Sequence, residues 1–311
     1  MFGLYHKFLE IAIFFLKFFS EFSCRNLWGF VVWYQWRGNP MTTLKHKFTN
    51  DILFKMLFVK YPHLLKKLVA VLLGIFIDSI EDFTIRNPEM PPESLGDKFC
   101  RLDISMTVNG QRIDLEVQVD DEGDYPERSL FHWAREYSTA LPKGGKYADL
   151  PRTIIISIID FKQFACDDYY SEFQALEVKR HEPLSDKFTL YFFELPKLPE
   201  AVKADNGLEL WLSLFRAKTE EDLKNIEALE VPEMSEAIQA YRHITVTPEF
   251  REAERLRTKA RHDEAQALFN AEKRGKLAVV KNMIIDGEPV EKIVRYTGLT
   301  YAEIESLRNT D

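Results

Sequence analysis

Two acidic residues, Asp103 and Glu116, have the side chains and the spacing that could support metal chemistry. They lie in residues 101–120, RLDISMTVNGQRIDLEVQVD, where polar and apolar residues alternate on both sides of Asn109-Gly110. An Asn-Gly pair between such segments predicts a two-residue type I′ hairpin turn. That turn fixes the register and sets Asp103 opposite Glu116. Facing carboxylates repel each other and destabilise a sheet, so the register predicts a divalent cation between them and metal-assisted chemistry.

The two faces of the predicted hairpin differ in polarity. Because side chains alternate along a strand, Gln118 shares a face with Asp103 and Glu116. The opposite face is apolar and predicts core: Leu102, Ile104, Met106, Val108, Ile113, Leu115, Val117 and Val119. Acids on the polar face could simply meet solvent, which is common in hairpins. The pairing of two acids, and the continuous apolar run in residues 154–159, favour a covered face with a metal site.

A helix must precede the hairpin. Thr49 or Asn50 can cap a helix that begins near Asp51, and Pro62 should divide the following apolar stretch into two helices. Asp51 falls on the apolar side of the first helix, where a carboxylate needs a partner. Lys55, one turn on, and a metal ion are the two alternatives.

The rest of the chain alternates strands and helices, which predicts an α/β fold with a mixed sheet. The predicted elements are a strand near 80–85, a helix over 127–141, strands over 153–159 and 188–195, and amphipathic helices within 197–240. The predicted buried stripe of the 127–141 helix is Leu130, Trp133, Ala134, Tyr137 and Leu141.

Residues 246–311 form a predicted helical tail. Its end, with Gly298 between two short amphipathic segments, resembles a helix-turn-helix. The second of these helices carries Glu303 and Glu305 and only Arg308 as a basic group, which suits phosphate or base recognition poorly. Helix packing or dimerisation is the favoured interpretation, with DNA reading as the alternative.

Composition sets limits on class and compartment. The chain has 311 residues, of which 46% are hydrophobic and 29% charged, which is typical of a globular protein of one or two domains. Its net charge of −8 gives no overall basic signature for nucleic acid. Cys24, Cys100 and Cys166 are far apart and form no zinc motif. We therefore expect a reduced, cytoplasmic protein.

Residues 1–40 are rich in Phe and Trp, but charged residues interrupt every apolar run before it reaches membrane-spanning length. A translation start extended upstream of Met41 is the favoured interpretation, and a membrane-surface anchor is the alternative. No stable membrane partner is expected.

Five blocks of this sequence resemble the PD-(D/E)XK nuclease superfamily, and within it the Rpn family of recombination-promoting nucleases and transposases. They are TNDILFKMLF (49–58), RLDISMTVNGQRIDLEVQ (101–118), YPERSLFHWAREYSTAL (125–141), TIIISIIDF (153–161) and YFFELPKL (191–198). The resemblance implies a restriction-endonuclease-like core over 41–245, followed by an α-helical extension over 246–311.

The resemblance also implies the ligands of a metal ion. Asp103 and Glu116 would bind Mg²⁺, with the backbone carbonyl of Val117 as a further ligand. The bound metal would polarise the scissile phosphate and lower the pKa of the attacking water.

Three further positions follow from the resemblance. Gln118 stands where the superfamily places a catalytic lysine, and it can orient water but brings no positive charge. Asp51 matches an acidic helix position that can add a ligand. Arg128 could hold a DNA phosphate, with a salt bridge to the acidic turn at 120–124 as the equal alternative.

The resemblance therefore implies a metal-dependent DNA endonuclease that hydrolyses phosphodiester bonds, associated with recombination or mobile elements. The alternative is a nuclease-fold protein that binds DNA and regulates without cleaving it. DNA is the expected partner, and a symmetric homodimer would suit nicks on opposite strands.

Overall fold

The computed structural model describes residues 42–87 and 103–308. Both interpretations of residues 1–40 lie outside this part of the chain, as does the predicted place of Leu102 on the apolar face of the hairpin.

Two helices open the described chain, as the sequence predicts. Helix α1 (Asp51–Lys60) begins after Asn50, whose side chain accepts a hydrogen bond from the Leu53 N–H. Helix α2 (Pro62–Leu73) begins with Pro62 in its first turn, where a proline replaces an N–H that would have no helical partner. The prediction that Pro62 divides the two helices is confirmed.

A six-stranded mixed sheet forms the centre of the described fold, in the order β1-β2-β3-β4-β6-β5. The strands are β1 (Phe83–Ile85), β2 (Ile104–Val108), β3 (Gln111–Gln118), β4 (Thr153–Ile159), β5 (Tyr170–Phe173) and β6 (Phe188–Glu194). Strands β3, β4 and β6 run parallel to one another, and the remaining pairs are antiparallel. The sequence analysis missed β5, a short edge strand with little burial.

The predicted hairpin between β2 and β3 is confirmed. Asn109 and Gly110 both have positive φ, 48° and 76°, as a type I′ turn requires. The register pairs Val108 with Gln111 and ends with Ile104 opposite Leu115. Asp103 is the next residue before Ile104, so the same register directs it toward Glu116.

The two faces of the sheet are covered differently. On one face, hairpin residues such as Ile104 and Leu115 join α1, α2 and three later helices in the main hydrophobic core. Those helices are α4 (Gly207–Arg216), α5 (Glu220–Glu227) and α6 (Pro232–Thr245). The other face has a smaller apolar cluster on β4 and β6, covered by helix α3 (Tyr125–Ser138).

Helix α3 does not bury the residues that its sequence predicts. Its fully buried residues are Tyr125, Ser129 and His132, whereas Leu130 is 48% exposed and Phe131 is 64% exposed. Trp133 and Tyr137 of the predicted stripe are only partly buried, and Ala134 is exposed. The stripe prediction is wrong for Leu130 and Ala134, whereas Trp133 packs on the smaller apolar cluster and Leu141 is partly buried. The buried side of the helix also meets polar groups of the sheet.

The tail continues as helix α7 (Pro248–Ile285), followed by α8 (Val290–Thr297) and α9 (Tyr301–Arg308). Phe250 and Ala253, in the first turns of α7, belong to the main core. The other end forms a separate small cluster through Val280, Ile293 and Ile304. The predicted domain boundary at 245/246 stays a prediction. Among the described residues, no helix is both long enough and apolar enough to span a membrane.

Candidate metal centre

Beneath α3, neighbouring residues on successive strands change from polar to apolar across the sheet. Glu116 lies beside Ser157 of β4, which lies beside Phe192 of β6. One pleat before it, Asp114 lies beside Ile155. Residues in register on neighbouring strands share a face, so the face is polar on β3 and becomes apolar toward β6. The polar end of this face is where the predicted site residues meet.

Asp103 is anchored through its main chain. Its carbonyl accepts hydrogen bonds from Lys55 Nζ of α1, at 2.8 Å, and from Asn87 Nδ2, at 3.0 Å. Asn87 Oδ1 also accepts the Ser105 N–H, at 2.8 Å. These bonds hold the strand end from the side away from β3. The side chain of Asp103 therefore lies on the same face of the sheet as Glu116.

Asp114 is a third carboxylate in the same place, and the sequence analysis did not select it. It is 3% exposed, and its Oδ1 has no hydrogen-bond partner in the described part of the chain. Burial raises the pKa of Asp114 well above its usual range, and the negative charges of Asp103 and Glu116 raise this pKa further. The signal was present in the sequence, because Asp114 lies on the same face as Glu116.

Helix α3 supplies basic and aromatic groups to Glu116. Arg128 Nη2 donates to Glu116 Oε1 at 2.9 Å, and His132 Nδ1 lies 3.3 Å from Glu116 Oε2. His132 is itself buried. Both groups lie outside the predicted apolar stripe of α3, and His132 was not among the predicted site residues.

Two buried hydroxyl groups complete the surroundings of Glu116. Within the described residues, neither Tyr125 OH nor Ser157 Oγ makes a hydrogen bond of normal geometry. Burial raises the pKa of Tyr125, and the charge of Glu116 raises it further. Uncompensated buried polar atoms cost free energy, so this region is polar beyond what packing requires.

Gln118 and Val117 lie at the end of β3. Gln118 Nε2 donates to the Asp120 carbonyl at 2.9 Å, and Gln118 Oε1 accepts a long 3.4 Å bond from Arg128. The Asp160 N–H donates to the Gln118 carbonyl on the β4 side. Because carbonyls alternate in direction along a strand, the Val117 carbonyl points to the β2 side, toward Asp103. The Val117 side chain packs against the main core.

Arg128 contacts both the acidic turn, as one of the two alternatives predicted, and Glu116, which was not predicted. Besides Glu116, it reaches Glu122 of the acidic turn at 3.4 Å. Its side chain keeps 33% exposure, so solvent and solutes can reach the guanidinium group. Arg128 therefore forms the salt bridge to the acidic turn and also contacts the candidate site.

Asp51 has partners elsewhere. Its Oδ2 accepts bonds from Arg257 at 2.9 Å and Arg261 at 3.1 Å, both from α7. Its Oδ1 accepts the Ile52 N–H. The structure therefore brings both Asp103 and Glu116 close to Asp114 but gives Asp51 a separate ion-pair network. Lys55, the suggested partner of Asp51, reaches Asp103 instead.

The donor set can be tested against a divalent cation. Among residues 42–87 and 103–308, no three His, Cys, Asp or Glu side chains form a ready-made metal-binding group. The chemistry nevertheless fits, because Asp103, Glu116 and the Val117 carbonyl offer only oxygen donors, which suit Mg²⁺. Asp114 adds a third buried carboxyl group beside them, and a bound cation would favour its ionised form.

A mixed sheet with helices on both faces, and acidic residues at the hairpin end, is an α/β fold of the restriction-endonuclease-like class. The family model described as PD-(D/E)XK nuclease family transposase matches residues 48–271, more than half of the chain. The chain belongs to this family, which confirms the predicted resemblance and supports a nuclease-type function. Comparisons with curated proteins and with solved structures give no match.

Proposed function

We propose that this protein is a Mg²⁺-dependent DNA endonuclease that hydrolyses phosphodiester bonds. The observation that carries the proposal is the meeting of Asp103, Asp114 and Glu116 under one helix, where Asp114 and Glu116 are both buried. Such an arrangement destabilises the fold unless a cation compensates it. Family membership supports the nuclease chemistry.

Each side chain receives a role from its position. Asp103, Glu116 and the Val117 carbonyl would hold the cation, which when bound would polarise a phosphate and lower the pKa of water. The Gln118 amide can orient the attacking water. Arg128, partly exposed, is suited to hold a DNA phosphate. His132 orients the Glu116 carboxylate from the buried side.

The test is nicking of supercoiled plasmid DNA by the full chain with Mg²⁺ or with EDTA. We expect Asp103→Ala and Glu116→Ala each to lower the Mg²⁺-dependent rate by at least about 100-fold. Glu127→Gln is the matched control, because Glu127 is an exposed acid on the same helix as Arg128. Equal rates in the wild type and both alanine variants would refute the proposed site, and so would no cleavage by any of them.

A DNA-binding protein without cleavage is the second candidate. Gln118 brings no positive charge, and Arg128 occupies one oxygen of Glu116. Binding of DNA without Mg²⁺, unchanged in Glu116→Ala and without nicking, would support this candidate. In both cases we propose DNA as the partner, a cytoplasmic location, an association with recombination or mobile elements, and a homodimer as the assembly suited to two strands.

A further inference from the structure

Lys55 is a buried cation in an otherwise apolar part of α1. It is 1% exposed, and the six other buried residues of the helix, Ile52, Leu53, Phe54, Met56, Leu57 and Phe58, are all apolar. Burying an ammonium group costs several kcal/mol in desolvation. A methionine of similar length would fill the same volume without that cost. Packing therefore does not explain a lysine at this position.

The contact of Lys55 identifies what it does. Its Nζ donates to the Asp103 carbonyl at 2.8 Å, across 48 residues of sequence. Asn87 donates to the same carbonyl at 3.0 Å. Two side chains from different elements therefore fix one peptide group, directly beside a proposed metal ligand.

The main chain of Asp103 needs these anchors because β3 does not hold it. In a two-residue hairpin, Val108 and Gln111 form a hydrogen-bonded pair, and such pairs alternate with pairs that share no hydrogen bonds. Counted from the turn, Asp103 and Glu116 form a pair that shares no hydrogen bonds. The carbonyl of Asp103 accordingly points away from β3, toward Lys55 and Asn87.

We propose that Lys55 is a positioning residue of the metal centre. Its ammonium group fixes the Asp103 main chain so that the Asp103 carboxylate faces Glu116. It also adds a fixed positive charge at the main chain of Asp103. This inference rests on the proposed function, because it assigns a role toward the cation that Asp103 and Glu116 would hold.

The experiment compares Lys55→Met with the wild type in three measurements: Mn²⁺ affinity by calorimetry, plasmid nicking, and thermal unfolding in EDTA. We expect Mn²⁺ affinity and nicking each to fall by about 10-fold to 100-fold, as for other groups that orient metal ligands. We expect the melting temperature in EDTA to stay equal or rise, because the desolvation cost of the ammonium group disappears.

Two further variants sharpen the result. Lys55→Arg keeps a charged donor and should recover part of the lost Mn²⁺ affinity. Lys60→Met removes an exposed lysine at the end of the same helix and should match the wild type in all three measurements. Recovery by arginine separates a positioning role from the filling of space.

Each of the following outcomes overturns the inference. Wild-type Mn²⁺ affinity in Lys55→Met would do so. A lower melting temperature or failure to fold in Lys55→Met would show that the lysine serves stability alone. If Asp103→Ala abolishes Mn²⁺ binding but Lys55→Met does not, only the role of Lys55 falls. If the wild type neither binds Mn²⁺ nor nicks DNA, the proposed function falls as well.

Discussion

Two buried glutamates at the carboxyl ends of parallel strands have opposite surroundings. Glu194, at the end of β6, is 1% exposed, and each of its oxygens has a partner. Its Oε1 accepts the Gln163 N–H at 2.7 Å, and its Oε2 pairs with Lys197 Nζ at 2.6 Å. Glu116, on β3, also meets a cation, but Asp103 and Asp114 add their charges to the same pocket.

The comparison separates two uses of a buried carboxylate. At Glu194, one carboxylate, one ammonium group and two main-chain N–H groups compensate one another, so the cluster holds the chain together. At Glu116, three carboxyl groups share one pocket, and Asp114 Oδ1 has no hydrogen-bond partner in the described chain. A cluster of carboxyl groups, rather than burial of a single charge, marks the candidate site.

Charge removal at the two glutamates should therefore give opposite results. Glu194→Gln should lower the free energy of unfolding by about 3–5 kcal/mol, because Lys197 is left buried without its anion, while nicking per folded molecule stays unchanged. Glu116→Gln should lower nicking by at least about 100-fold and change the free energy of unfolding by less than about 1 kcal/mol, since Arg128 can reach solvent. Chemical denaturation and plasmid nicking measure the two effects.

The double variant Glu194→Gln/Lys197→Met is the control, because removing both charges should recover most of the lost stability. The comparison fails if Glu116→Gln unfolds as readily as Glu194→Gln, since both glutamates would then be structural.

Asp114→Asn removes one of the three clustered carboxyl groups and so tests what its charge costs in stability. The pKa of Asp114 is higher in the folded state than in the unfolded state, so the folded state binds its proton more tightly. Wild-type stability is then full below about pH 4 and decreases as the pH rises through the folded-state pKa. The variant lacks this loss, so we expect it to be more stable than the wild type at pH 7.

Denaturation of both proteins at several pH values in EDTA measures this difference, which should vanish below about pH 4. Asp78→Asn, at an exposed acid, should show no such pH dependence. A variant that is less stable than the wild type at pH 7 would mean that the Asp114 carboxylate is compensated after all.

The smallest effect is expected at Asp51, which the sequence analysis offered as a metal ligand. Its pairs with Arg257 and Arg261 are partly exposed, so Asp51→Asn should cost about 1 kcal/mol of stability or less. Mn²⁺ affinity and nicking should stay at wild-type levels. A tenfold loss of Mn²⁺ affinity in this variant would instead return Asp51 to the metal centre.

The part of the site that could be predicted from sequence is the part that local geometry controls. Asn109-Gly110 fixes the hairpin register, and the register carries Asp103 to Glu116. The cover by α3 could not be predicted in the same way. An apolar stripe is the usual guide to a buried helix face, and here the polar side of the helix packs on polar groups.

Partners distant in sequence were also missed. Asp51 meets arginines 206 and 210 residues later, and no local pattern in the sequence indicates such a contact. Lys55 was weighed only against its neighbour one turn away, as helix spacing suggests. Its actual contact depends on how α1 packs against the sheet, which periodicity does not specify.

The type I′ turn has a consequence for the order of folding. Hairpins with such turns close within about 1–10 μs, whereas parallel pairing of β3 with β4 must wait for the intervening chain to cross over. We therefore expect Asp103 and Glu116 to meet while the sheet is still incomplete and water still screens their repulsion. Docking of α1 then brings Lys55 to the Asp103 carbonyl, and α3 covers the carboxylates as it brings Arg128 and His132 to Glu116.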